Sequence, residues 1–92
     1  MIVRFSPFAE QDLDLSINWY NQEKEGLGYE LLIEISKAID RIKQNPKQFP
    51  KTYKKYRKIN INRFPFNVFY IEKEGTLSTF STIYITFKKF LN

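Results

Sequence analysis

The 92-residue chain has room for one domain, near the lower end of what folds without disulfide or metal staples. It contains no cysteine and no histidine, which excludes disulfides, thiolate metal sites and every Ser-His or Cys-His nucleophile arrangement. Its net charge of +5 is uneven: residues 1–40 hold three basic and eight acidic groups, 41–63 nine basic and none acidic, and 64–92 three basic and two acidic. Such a local excess of one sign attracts polyanions or an acidic polypeptide.

Ile2–Phe5 reads as a short apolar strand, and no apolar leader follows it, so a cytoplasmic protein without a signal peptide is expected. No stretch approaches the length of a membrane span. Ser6-Pro7 combines an N-cap residue with proline at the first helical position and predicts a helix to about Gln22. Its apolar stripe is Ala9, Leu13, Ile17 and Tyr20, widened by Phe8, Leu15 and Trp19. Gly26-Leu27-Gly28 breaks the chain and starts a second helix, with Leu31, Leu32, Ile35, Ala38, Ile39 and Ile42 at helical spacing and Asn45-Pro46 as the stop. Two helices joined by so short a turn form an antiparallel hairpin.

Phe49–Lys55 reads as a loop. From Tyr56 to Asn62 the pattern alternates, with Ile59 and Ile61 on one face and Lys58, Asn60 and Asn62 on the other. Pro65 separates this strand from a second over Phe66–Glu72, rich in aromatic and β-branched residues. Glu74-Gly75 predicts a hairpin turn, and Thr76–Phe87 a final strand with Ile83, Ile85 and Phe87 opposite Thr82, Tyr84 and Thr86. The expected architecture is α+β, in the order β-α-α-β-β-β, with the helical hairpin on one face of an antiparallel sheet and residues 1–92 forming a single domain.

The other sheet face is then the place for chemistry. Arg57 and Arg63 share parity with Ile59 and Ile61 and flank that pair; arginine there clamps oxyanions with two prongs. Lys54, Lys55 and Lys58 add diffuse attraction, and Tyr53, Tyr56 and Tyr70 offer stacking surfaces. The competing reading has the tyrosines packed and the arginines paired with helix carboxylates such as Glu30 or Glu34. Asp12 with Asp14, and Glu23 with Glu25, stand two apart on a helix or at its end and point apart, so they make no acid–base pair. No phosphate-cradling glycine loop is present.

Several ordered pieces carry a resemblance. They are Val3-Arg4-Phe5-Ser6-Pro7-Phe8-Ala9-Glu10-Gln11-Asp12-Leu13, Trp19-Tyr20, Gly26-Leu27-Gly28, Ala38–Pro46, Phe49-Pro50, and Arg57 through Arg63-Phe64-Pro65-Phe66-Asn67-Val68-Phe69-Tyr70. Together they resemble the RelE/ParE superfamily of type II toxin–antitoxin toxins, in its ParE-like or plasmid-stabilisation branch. The resemblance implies a toxin wrapped by an acidic antitoxin and acting on DNA gyrase or on ribosome-bound mRNA, with no cofactor. Where RNA-cleaving members place an arginine in the third strand this chain has Asn67, and its last residues, Thr86 to Asn92, contain no His or Arg. These departures favour gyrase binding. The alternatives are a ribosome-dependent endoribonuclease with Arg57, Arg63, Lys54 and Lys58 stabilising charge, and an inactive remnant that only binds antitoxin. The antitoxin is expected on the helical hairpin and the basic sheet edge, where charge reversal at Lys54, Lys55 and Lys58 weakens the complex.

Overall fold

A computed structural model describes residues 2–74 and 81–89, and the predicted turn at Gly75 lies outside them. The chain runs β1 (Ile2–Phe5), α1 (Pro7–Glu23), α2 (Leu27–Gln44), β2 (Lys51–Tyr53), β3 (Tyr56–Asn60), β4 (Phe66–Glu74) and β5 (Ser81–Lys89). The five strands form one sheet in the order β1-β5-β4-β3-β2. The β3–β4 and β4–β5 pairs are antiparallel, as expected, and Lys51–Tyr53, expected within a loop, instead forms a short strand antiparallel to β3. β1 instead joins β5 in parallel, with Val3 opposite Ile83 and Phe5 opposite Ile85, so the sheet is mixed. The helical hairpin between β1 and the later strands brings the first strand back in the same direction as the last.

Local signals set the helix ends. The Ser6 hydroxyl accepts from the Ala9 N–H at 3.0 Å and caps the first turn of α1. Gly26 turns the chain with φ +85°, a conformation that favours glycine, and caps α2. Gly28 lets the helices approach closely. Its N–H donates to Asn21 Oδ1 at 2.7 Å, and a Cβ there would run into the Ile17 carbonyl oxygen and the Asn21 side chain.

The core lies between the hairpin and one sheet face. Ala9 meets Leu31, Ile35, Ala38 and Ile42 of α2, above Ile59, Phe66, Val68, Tyr70, Ile83, Ile85 and Phe87 of the sheet, with Ile61 and Phe64 closing one end. Burial of these side chains is the main stabilising term, worth about 1.5–3 kcal/mol for each large apolar residue. The wider α1 stripe is not covered: Phe8, Leu15 and Trp19 are 76%, 58% and 55% exposed. Ala9, Leu13, Ser16 and Tyr20 point at the core, and Ile17 and Asn21 lie on the flank against Gly28. By helical spacing Phe8, Leu15 and Trp19 fall on the opposite flank, away from α2.

Candidate functional site

Strand register decides where each basic residue goes. Arg57 stands opposite Tyr70 on β4 and Lys51 on β2. That parity is the one of buried Ile59, so Arg57 belongs to the helix-covered side of the sheet. The expectation that Arg57 and Arg63 flank an apolar pair on the open face is therefore corrected, since Ile59 and Ile61 are core residues beneath the hairpin. Lys58, opposite Phe69, and Asn60, opposite Asn67, occupy the uncovered face.

Arg57 emerges at the rim below the C-terminus of α2. Its Nη1 donates to the main-chain carbonyls of Phe49 at 2.6 Å and Lys47 at 3.3 Å. The Tyr70 hydroxyl donates to the carbonyl of Pro46. Two side chains of the sheet thus hold the Pro46–Phe49 turn, satisfying carbonyls that follow a helix end. The turn is tied from its own side as well. Gln48 Nε2 donates to the Arg41 carbonyl at 2.7 Å, and Asn45 Oδ1 accepts from the Lys47 N–H at 3.2 Å.

Tyr70 is wholly buried, with Phe49 edge-on at 6.4 Å, so it presents no stacking surface. Burial pushes its phenol pKa above the ordinary value; nearby Arg57 opposes the rise and Glu72 adds to it. Tyr56 is half-buried, and of Tyr53 only the backbone, paired with Tyr56, is described.

Beyond this turn lies a cleft of about 310 Å³ lined by Lys47, Lys51, Lys55, Arg57, Ile71 and Glu72. The sequence marks out Lys55 and Arg57, whereas Lys47 and Lys51 look like members of a general basic run. The missing signal is register, because Lys51 faces Arg57 across β2 and β3 only once the short β2 strand exists. Lys54 stands in the β2–β3 turn with φ +51° and is exposed.

Arg63 belongs to a different place. It sits in the turn after β3 with φ +74°, its Nη2 lies 3.2 Å from Glu30 Oε1, and its guanidinium is 5.7 Å from the centre of the Phe64 ring. It also lines a groove of about 480 Å³ with Glu34, Lys37, Arg41 and Asn60 to Asn62, where Lys37 and Glu34 form a second ion pair at 3.3 Å. The charges of this groove are mixed and partly paired.

On the uncovered face Asn67 is only 3% exposed, and among the described residues its Oδ1 has no hydrogen-bond partner. Its register neighbours are Asn60 and Lys88. Phe69 and Ile71 share this face and are half-buried, and Lys73 lies over the Tyr84 ring at 5.5 Å.

A chain of the chromosomal ParDE TA system from P. aeruginosa is similar in structure, with a TM-score of 0.74 and 17% identity over 97% of this chain and 95% of that one. The likeness shows that the two share a fold, including the helical hairpin on a mixed sheet. No family profile and no curated protein matches the sequence. Among the described residues no helix is long and apolar enough to cross a membrane.

Proposed function

We propose that this chain is the toxin of a type II toxin–antitoxin pair, neutralised in the cytoplasm by an acidic antitoxin and acting by binding DNA gyrase. The fold that this chain shares, over 97% of its own length, with a chain of the ParDE system supports the first part. The separation of the candidate charge stabilisers Arg57, Lys58 and Arg63 supports the second. Cleavage of RNA through the 2′-hydroxyl needs a base, an acid and charge stabilisation converging on one phosphate. Arg57 is tied to carbonyls on the helix side, Lys58 stands on the opposite face, and Arg63 pairs with Glu30 beyond the strand's end. The chain has no histidine to serve as base, and Asn67 carries no charge. A binding surface tolerates such dispersal, whereas a phosphoryl-transfer site does not.

Induced expression in bacteria, with and without the product of the adjacent reading frame, tests this reading. Growth arrest with loss of DNA supercoiling, reversed by the partner, is the expected result. Arrest with mRNA cleaved at the ribosome would favour the endoribonuclease, and unimpeded growth the antitoxin-binding remnant.

A further inference from the structure

We infer that the cleft at the β2 edge is an anchoring site for an extended acidic polypeptide segment, whose carboxylates seat among Lys47, Lys51, Lys55 and Arg57 while its backbone adds to the outer edge of β2. The inference rests on the reading that the partner is an acidic protein, and it names where that partner grips.

Charge is the first support. Four cations line this one cleft against a single carboxylate, Glu72. Among the described residues no carboxylate lies within ion-pairing distance of any of the four, and the pairs Lys37–Glu34 and Arg63–Glu30 involve none of them. Lys47, Lys51 and Lys55 are exposed, so their side chains can swing to meet a ligand. Arg57 is different. Its Nη1 is fixed by two carbonyls, while Nε and Nη2 donate to no described group. A guanidinium held in place with donors to spare is already oriented for a carboxylate, and little freedom is lost on binding.

Backbone is the second support, and it selects polypeptide over nucleic acid. β2 ends the sheet order, paired with β3 on one side and with no described strand on the other. An exposed edge offers main-chain donors and acceptors that an extended peptide can match and a sugar–phosphate chain cannot. Tyr70, the nearest tyrosine with a described side chain on the same face, is buried and turned to Pro46, so it gives a base nothing to stack on.

The test uses the whole chain and two probes, a short fluorescent peptide of alternating glutamate and valine and an oligo-uridylate of equal charge. The wild type should bind the peptide more tightly than the oligonucleotide, with affinity falling as salt rises. Combined Lys47→Glu, Lys51→Glu and Lys55→Glu should weaken peptide binding about tenfold or more, as loss of complementary charge does. Lys51→Glu should weaken it by more than Lys24→Glu, the same charge change at the C-cap of α1, outside the cleft lining. Circular dichroism confirms that the variants fold, and Arg57 is left intact because it holds the turn. Equal weakening by Lys24→Glu, or tighter binding of the oligonucleotide, overturns the inference. Should growth arrest be reversed by the natural partner equally well for the triple variant, the toxin–antitoxin reading stands and the cleft assignment falls. Should the wild type cause no arrest while the peptide still binds at the cleft, the reverse holds.

Discussion

The two ends of the basic segment meet opposite fates. At its C-terminal end Arg63 is matched by Glu30, and the neighbouring groove carries Lys37 and Glu34 as a pair. At the β2–β3 rim four cations share one cleft and none is paired among the described residues. The helical hairpin supplies the difference. The acidic groups of residues 1–40 reach the turn after β3 but not the far side of α2's C-terminus. A count of charges along the chain treats Arg57 and Arg63 alike, whereas the fold makes one a strut beside a cationic cleft and the other half of an exposed ion pair.

Several substitutions would break or sharpen this contrast. Gly28→Ala should have the largest effect, because its Cβ meets backbone at Ile17 as well as Asn21. A loss of about 1–3 kcal/mol is expected from such overpacking. Chemical denaturation measures it, and a shift of α2 should loosen Glu30 from Arg63 while sparing the cleft. Arg57→Ala should cost about 2 kcal/mol by leaving two turn carbonyls without their donor. Arg63→Ala should cost no more than about 0.5 kcal/mol, since both partners of its ion pair are substantially exposed. Equal losses at the two arginines would dissolve the distinction.

Tyr70→Phe should remove about 1 kcal/mol by orphaning the Pro46 carbonyl. It also has a pH signature. The phenol's folded pKa lies above its unfolded value near about 10, so its contribution is complete below that pH. It is lost as pH rises through the folded pKa. Denaturation midpoints should therefore fall less steeply in Tyr70→Phe than in the wild type above about pH 10. A slope as steep as that of the wild type would contradict the buried phenol. The smallest effect belongs to Glu30→Gln, which releases Arg63 but should change binding of the acidic peptide by less than about twofold, because a rim charge acts weakly. A marked gain would mean that the Arg63 groove is the acidic-ligand site.

What was legible in the sequence was local. Ser6-Pro7 and Asn45-Pro46 mark helix ends because their chemistry acts within one turn, and Ile83, Ile85 and Phe87 show their buried face by simple alternation. The parallel seating of β1 beside β5 was not legible, since nothing local records a contact between residues about eighty positions apart. β2 was hidden for a related reason. Three residues after a proline, two of them polar, carry too little pattern, and their strand character comes from β3.

The helical stripe was overdrawn at Phe8, Leu15 and Trp19 because apolar spacing identifies a helix without showing how much of it the sheet can cover. For the site, the composition of the basic run was plain. The grouping within it depended on register, and the pairing of Arg63 with Glu30 was one of two readings the residues left open.

Chemical-shift mapping of the isotopically labelled chain during titration with the acidic glutamate–valine peptide tests the central claim most directly. The largest shifts are expected at Lys47, Lys51, Lys55 and Arg57, with Ile71 and Glu72 following and Arg63 and Glu30 nearly still. Shifts centred on Arg63 and α2, or spread over Lys58, Asn67 and Tyr84 on the uncovered face, would contradict it.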